Sequence, residues 1–299
     1  MYKKIFVIND HSKCEQTYKE SIEYLETQPA LEEKVATHIW TYRETADLVP
    51  QTTTNFGSGH FFPYAESVYE VESSCELALQ GFYRQALAGL RSVLELGLLS
   101  VYFDVNDTAH IDVQNWLASL EQTPRRKKIF DRLCGLDTFR QFDRRFNLLQ
   151  RIQDSFGMLD RYVHTRGYEH SGSALNRANF NRFSETSLKH YCDSLGVVVR
   201  DVIVVMLLKY PIGLQPLPLT SKFGLNGPVG GLLENHQVEL MRCILEPSEK
   251  QYLQELSDQN EAVQRTVRHI EQLPDLSEEQ WTQQAAEWEE QKKALLFKN

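Results

Sequence analysis

Cysteine is scarce in this sequence of 299 residues, and its pattern excludes two common kinds of site. The five cysteines are odd in number and far apart, and none belongs to a C-x-x-C pair. They are Cys14, Cys75, Cys134, Cys192 and Cys243. This pattern is typical of a reducing compartment, and it argues against a disulfide framework and against a zinc site.

Long hydrophobic runs are also missing. The opening MYKKIFVIND contains an apolar run of only about four residues, which is too short for the core of a signal peptide. The most apolar later run, residues 202–208, is bounded by Arg200, Asp201 and Lys209, whereas a membrane span needs about 20 apolar residues. We therefore expect a cytoplasmic protein that does not enter a membrane.

The sequence has no excess of positive charge. Its 41 acidic residues outnumber its 32 lysines and arginines, which gives a formal net charge of −9. Such a chain has no bulk attraction for nucleic acid, so a polyanion site would have to be a local basic cluster on an acidic body. With 41% hydrophobic residues, the chain is nevertheless able to build a substantial core.

Several familiar catalytic signatures do not occur. The sequence has no H-E-x-x-H and no G-x-S-x-G, the signatures of zinc proteases and serine hydrolases. Gly57 and Gly59 lack the third glycine of a dinucleotide loop, and residues 227–231 lack the lysine and hydroxyl of a phosphate loop. We predict no cofactor and no metal. Five histidines stand singly in the sequence: His60, His110, His190, His236 and His269.

What the sequence does have is helical periodicity. Residues 64–103 are helical throughout, with Gly81 as a break between two segments. Apolar residues recur at spacings of three and four in the second segment, which predicts a core stripe. They are Leu87, Leu90, Leu94, Leu98 and Val101. The predicted fold class is all-α: an antiparallel helical bundle with a short strand-containing N-terminal extension and a C-terminal helical appendage.

The chain divides into four predicted regions. Residues 1–60 form the N-terminal extension, with a strand at 4–9 and helices at 12–27 and 31–48. Residues 61–211 form the bundle, with long helices at 138–164 and 176–210, and residues 212–231 form a linker rich in proline and glycine. Residues 232–299 form the C-terminal region, where the capping boxes Ser248–Gln251 and Ser277–Gln280 predict two helices.

The first candidate constellation is a charged stripe on an apolar helix. Arg84, Arg91 and Glu95 are spaced seven and four residues apart and share one helical face. Buried charges must be paired, and Arg91 and Glu95 form a ready i,i+4 pair. The stripe is therefore either an internal salt-bridge network or the wall of a groove that holds a second constellation.

That second constellation lies in LDRYVHTRGYEH, residues 159–170. If the helix runs to His164 and Gly167 supplies the left-handed cap, then Asp160, Arg161 and His164 are neighbours in the last turn. A carboxylate that orients an imidazole beside a guanidinium suits phosphodiester chemistry, because the imidazole moves a proton and the guanidinium neutralises phosphate charge. Cations near a helix C-terminus also complement the helix dipole, whatever their function.

Two pieces of the chain resemble a known superfamily. Residues 76–103 followed by LDRYVHTRG look like HEPN, the higher eukaryote and prokaryote nucleotide-binding domains, in the abortive-infection-like branch. The resemblance covers residues 63–211 and implies a helical bundle with a metal-independent ribonuclease site of one arginine and one histidine, often completed across a homodimer. His164 matches the family histidine. Arg161 precedes it by three residues, where the family usually has four to six.

Two functions follow as hypotheses. The first is a HEPN-like RNA-directed protein, an endoribonuclease of a bacterial toxin or antiviral defence system, with His164 as acid–base group, Arg161 as phosphate stabiliser and Asp160 orienting. The second is a non-catalytic helical module that dimerises through the bundle and recruits a protein partner through its C-terminal helices. A third, an enzyme acting on a nucleotide or small metabolite in the same groove, has no phosphate loop to support it.

Overall fold

The computed structural model describes residues 11–50, 58–105, 110–175, 182–227 and 230–296, and within these ranges the regular elements are helices without strands. The all-α class is thereby confirmed. The predicted strand at 4–9 lies outside the described residues. The α-helices are α1 (His11–Glu26), α2 (Pro29–Glu44), α3 (Phe62–Leu79), α4 (Tyr83–Asp104), α5 (Ile111–Leu117), α6 (Arg126–Leu133), α7 (Asp137–Phe146), α8 (Leu148–Val163), α9 (Gly172–Leu175), α10 (Glu185–Lys209), α11 (Leu219–Phe223), α12 (Asn235–Ile244), α13 (Pro247–Asp258), α14 (Glu261–Gln272) and α15 (Glu278–Leu296).

Helix α4 lies at the centre of the fold and packs against α3, α8 and α10. Its predicted apolar stripe is fully buried, as expected for a core helix. In the described part of the chain, α4 is the single helix whose length and composition would allow it to cross a membrane, and 67% of its apolar window is buried inside the protein.

Gly81 separates α3 from α4, as the sequence predicted. Its φ of +81° is a conformation that favours glycine. A Cβ at this position would also lie only 2.9 Å from Thr17 Cγ2 and 3.1 Å from the Arg182 carbonyl oxygen. The turn therefore depends on the missing side chain both for its backbone angle and for its close packing.

The single helix predicted at 138–164 is wrong, because the structure has two helices, α7 and α8, that meet at Asn147. Asn147 has φ 52° and ψ 41°, a left-handed conformation that asparagine tolerates better than most residues. Asp143 Oδ1 accepts a hydrogen bond of 2.7 Å from the Leu149 backbone N–H, which satisfies one free donor at the start of α8. α8 is therefore a separate helix with its own axis, and that axis sets the direction of its polar side chains.

Helix α10 begins later than predicted. Ser184 caps it by accepting a hydrogen bond of 3.3 Å from the Ser187 backbone N–H, so the helix starts at Glu185 instead of residue 176. Residues 176–181 lie outside the described residues. The helix ends at Lys209, one residue before the predicted end at Tyr210 and two residues before Pro211.

The C-terminal region contains α12 to α15, where the sequence predicted two helices. The Ser277–Gln280 capping box is confirmed, since each residue's backbone N–H donates to the other's side chain at 2.9 and 3.3 Å. The Ser248 cap is wrong. Glu246 is the N-cap of α13 and Pro247 its first residue, because proline has no N–H that needs an acceptor there.

One hydrophobic core joins the predicted regions. It contains Tyr42 of α2, Leu94 of α4, Met241 of α12 and Leu253 of α13. Residues of the predicted linker are also buried, among them Leu214 at 1% exposure. The division into four regions stays a prediction, and the apolar packing is shared among them.

Candidate functional site

The two predicted constellations meet where α4 packs against α8. Arg91 Nε of the charged stripe lies 3.4 Å from Asp160 Oδ1, and Arg91 Nη1 also donates to Glu95. Arg126, at the start of α6, donates from Nη2 to Asp160 Oδ2 at 2.7 Å. We call these four residues the Asp160 network. In it, two guanidinium groups are balanced by two carboxylates.

A buried aromatic ring packs against the two arginines of this network. Phe156, one turn before Asp160 on α8, is fully buried. The guanidinium carbons of Arg126 and Arg91 lie 5.0 and 5.7 Å from the centroid of its ring, within the range of a cation–π contact. The ring holds both guanidinium groups at the edge of the core, where the side chains of Arg91 and Arg126 are 24% and 42% exposed.

Arg84, the first residue of the charged stripe, holds the C-terminal end of α8. Its Nε donates to the Tyr162 carbonyl oxygen at 2.9 Å and its Nη2 to the Val163 carbonyl oxygen at 3.2 Å. Carbonyl groups in the last turn of a helix have no partner within the helix, and a cation there also complements the helix dipole. Arg84 therefore fixes the position of the turn that carries Arg161 and His164.

Helix α8 ends with a backbone motif that the sequence assigned to the wrong residue. The helix stops at Val163, His164 is its C-cap, and Thr165 adopts the left-handed conformation with φ 48°. The Arg166 N–H donates to the Arg161 carbonyl oxygen at 2.9 Å, the long hydrogen bond of a Schellman motif. The predicted cap at Gly167 is therefore wrong by two residues. A β-branched residue at positive φ is strained.

Arg161 and His164 both lie exposed at this helix end. Within the described residues, no hydrogen bond or ion pair engages either side chain, and both oxygens of Asp160 are directed to Arg91 and Arg126. The structure therefore joins Asp160 to the charged stripe and leaves the arginine and the histidine accessible from solvent. Among these contacts, the Asp160 carboxylate makes no hydrogen bond to the His164 ring, so the predicted orienting role is not observed.

A tyrosine and two histidines lie behind the same turn. Tyr162 Oη is 3.0 Å from His190 Nε2, and the rings of Tyr162 and His170 meet edge to face at 5.1 Å between centroids. Burial lowers the pKa of His190 and raises the pKa of Tyr162. His190 looked isolated in the sequence, because its partners come from helices that are distant along the chain.

Another pair of apparently isolated histidines is stacked near the start of α3. The rings of His60 and His110 are 4.8 Å apart between centroids and inclined by 26°. Ser58 Oγ lies 2.7 Å from His110 Nδ1. Sequence spacing gave no signal for this pair, since 50 residues separate the two positions.

A cleft beside the Asp160 network was not found from the sequence. Its volume is about 470 Å³, and its wall combines part of α4 with the start of α6 and the segment before it. The lining residues are Arg91, Glu95, Thr123, Pro124, Arg125, Arg126 and Lys127. The sequence feature that could have indicated this cleft is the run RRKK at 125–128, four consecutive cations in an acidic chain. We call this feature the basic cleft.

A second charged network lies at the other end of α8. Arg151 donates from Nε to Asp201 Oδ1 and from Nη1 to Glu249 Oε1, both at 2.6 Å. The side chains of Asp201 and Glu249 are 0% and 3% exposed. Burial raises the pKa of Asp201 to about 6, although Arg151 and Arg200 oppose the shift. This Arg151 network connects α8, α10 and α13.

No group of three or more histidine, cysteine or acidic side chains that could hold a metal ion occurs among the described residues. Comparison of the chain with family models, with curated proteins and with solved structures gives no match. The HEPN-like resemblance stays a prediction.

Proposed function

We propose that this protein acts on RNA as a HEPN-like, metal-independent endoribonuclease, with His164 and Arg161 as its reacting groups. The observation that supports this proposal is the packing of the charged stripe of α4 against the last turns of α8. Arg91 and Arg84 hold Asp160 and the α8 carbonyl groups, so the helix end is fixed while Arg161 and His164 remain exposed. Fixed positions and open access are what a reacting pair requires.

The proposed reaction is attack of the ribose 2′-hydroxyl on the neighbouring phosphorus. His164 accepts the hydroxyl proton as general base, a bond forms between the 2′-oxygen and phosphorus, and the bond to the 5′-oxygen breaks. The leaving 5′-oxygen takes a proton from water. The Arg161 guanidinium binds the non-bridging oxygens, where negative charge develops. Asp160 acts through Arg91 and Arg126, as a positioning residue.

The proposal includes the assembly and setting that the family resemblance implies. The bundle helices are arranged antiparallel, two chains form a homodimer, and the protein works in the cytoplasm as a toxin or defence effector. In this arrangement Arg161 and His164 of each chain lie at an exposed helix end that a second copy can reach.

The decisive experiment compares wild type with His164→Ala on total RNA, each with and without a chelator. His269→Ala is the matched control, because His269 is also exposed but lies on α14. We expect chelator-resistant cleavage by wild type and by the control, and its loss in His164→Ala and in Arg161→Ala. Induced expression in a bacterial host provides a second readout, with growth arrest for wild type and normal growth for His164→Ala. Cleavage at the wild-type rate by His164→Ala would overturn the mechanism.

A second candidate function is the non-catalytic dimerisation and recruitment module. The observation that favours it is the pairing of Asp160 with two arginines, since no contact among the described residues then activates His164. On α15, Trp288 is 51% exposed and available to a partner. This candidate predicts no RNA cleavage by wild type, and a dimer in sedimentation equilibrium that Trp288→Ala leaves intact, because the bundle forms the dimer and the C-terminal helices bind the partner. A wild-type chain that sediments as a monomer would remove this candidate.

A further inference from the structure

The basic cleft reverses the charge of the molecule locally. Four cations and one carboxylate line it, whereas the whole chain carries a net charge of −9. Lys128, which follows Lys127 in the sequence, is a further exposed cation. Clefts lined by charge of one sign raise the local concentration of ligands of the opposite sign. The ligand expected here is an anion.

The cations of the cleft, together with the adjacent Lys128, fall into two groups. Arg91 and Arg126 are tied to Asp160 and sit over Phe156, so they form a fixed wall. The side chains of Arg125, Lys127 and Lys128 are exposed, and none of them makes a hydrogen bond or ion pair with another described residue. These three charges are therefore available to a ligand.

The stability of the fold does not explain why Arg125, Lys127 and Lys128 lie next to one another. The positive end of a helix dipole favours acidic residues, yet the first turn of α6 contains no acid and the run of cations lies across it. Packing cations at this end costs free energy in the unbound protein. A bound anion would offset both the mutual repulsion of the cations and their repulsion by the dipole.

The position of the cleft favours a nucleic-acid strand, since it lies beside the Asp160 network. Its wall includes Arg91, which pairs with Asp160, and His164 follows Asp160 by one turn of α8, about 6 Å along the helix axis. A strand held in the cleft therefore lies close to the proposed reacting groups.

We propose that the basic cleft binds the sugar–phosphate backbone of single-stranded RNA, with Arg125, Lys127 and Lys128 as the phosphate contacts. This inference rests on the proposed function, because it names the binding site for the same substrate. A single strand suits the site better than a duplex, since the basic surface is small and the surrounding body is acidic.

The test uses the full chain and a short labelled single-stranded RNA, with fluorescence anisotropy measured over a range of salt concentrations. The test variant is Arg125→Ala/Lys127→Ala/Lys128→Ala. The matched control is Lys250→Ala/Arg265→Ala/Arg268→Ala, which removes three exposed cations from α13 and α14. Because all six side chains are exposed, we expect unchanged circular dichroism spectra and unfolding midpoints for both variants.

We expect the test variant to bind RNA at least about tenfold more weakly than wild type at low salt. Its slope of log affinity against log salt should fall by about 2, because each contact with a single strand contributes about 0.7. The control should keep the wild-type slope. Equal losses of RNA affinity in both variants would mean that RNA is attracted by the surface charge in general, and they would overturn the inference.

The remaining outcomes separate this inference from the proposed function. If wild type binds RNA and the test variant binds it equally well, the cleft assignment is wrong while action on RNA stands. If wild type binds no RNA, the proposed function fails as well. Equally tight binding of duplex RNA, or of an acidic peptide with the same salt slope, would overturn the assignment of a single-stranded RNA ligand.

Discussion

At both ends of helix α8, arginine side chains pair with carboxylates, but the two ends differ in the balance and the burial of these charges. Each end combines arginine with two carboxylates and lies next to a non-glycine residue at positive φ, Asn147 before the helix and Thr165 after it. In the Arg151 network, one guanidinium serves two carboxylates that are almost completely buried. In the Asp160 network, charges are balanced two against two, and Arg126 is 42% exposed.

The difference follows from what covers each end. Helices α10 and α13 place Asp201 and Glu249 in the interior, where both carboxylates lose their contact with water, although Arg151 itself stays 24% exposed. Burial of an unbalanced charge is costly, and it raises the pKa of Asp201 to about 6. The Asp160 network opens onto the basic cleft and stays partly hydrated. We infer that the first network holds the fold together and the second presents charge to a ligand.

The largest expected effect is that of Arg151→Ala. Removing the guanidinium leaves two buried carboxylates without their common partner, and breaking a buried ion pair in this way costs about 3–5 kcal/mol. Urea unfolding measures the loss. Arg144→Ala, which removes an exposed arginine from α7, should change stability by less than about 0.5 kcal/mol. Similar losses in the two variants would refute the distinction between the ends of α8.

The next effect concerns pH. Asp201 has a pKa of about 6 in the folded protein, compared with about 3.9 in an unfolded chain. The folded state therefore holds the proton more tightly, so this stabilising contribution is complete below about pH 4 and is lost as the pH rises through 6. Between about pH 4 and pH 7 the loss amounts to up to about 3 kcal/mol.

Asp201→Asn should remove this part of the pH dependence. The measurement is the free energy of unfolding of wild type and variant at several pH values between about 4 and 7, with Asp154→Asn as a control on an exposed carboxylate of α8. The control should keep the wild-type pH dependence. Parallel curves for wild type and Asp201→Asn would show that Asp201 does not titrate in this range.

A smaller effect is expected for Asp160→Asn. The partners of Asp160 are partly hydrated, so the expected loss is about 1–2 kcal/mol, less than for Arg151→Ala. The substitution also releases Arg126 and Arg91 from a carboxylate, and we expect tighter binding of single-stranded RNA. Urea unfolding and anisotropy measure the two quantities. A loss of stability as large as that of Arg151→Ala, with no gain in RNA binding, would contradict the assignment of the open network to a ligand.

The smallest expected effect concerns Asn147 and Thr165, the two residues at positive φ that flank α8. Thr165 is β-branched and has φ 48°, so Thr165→Gly should stabilise the protein by about 0.5–1 kcal/mol. Asn147 tolerates the same conformation, and Asn147→Gly should change stability by only a few tenths of a kcal/mol. Thermal unfolding of both variants checks this order, and an equal gain from the two substitutions would show that Thr165 is not strained.

Much of the fold could be predicted from local sequence signals. The apolar stripe of α4, the break at Gly81, the end of α10 before Pro211 and the Ser277 capping box depend on residues within a few positions of one another. The break at Asn147 was missed, because the apolar periodicity of α7 continues into α8 and no glycine or proline marks the junction. Likewise the cap was assigned to Gly167, since threonine rarely adopts positive φ.

The sequence by itself determined the all-α class, the helical face shared by Arg84, Arg91 and Glu95, and the i,i+4 pairing of Arg91 with Glu95. Only the tertiary structure decided that Asp160 binds Arg91 and Arg126 instead of orienting His164, and that Arg151 lies between Asp201 and Glu249. The physical reason is distance along the chain. These ion pairs join residues 34 to 98 positions apart, and their formation depends on how separate helices pack, which no local spacing specifies.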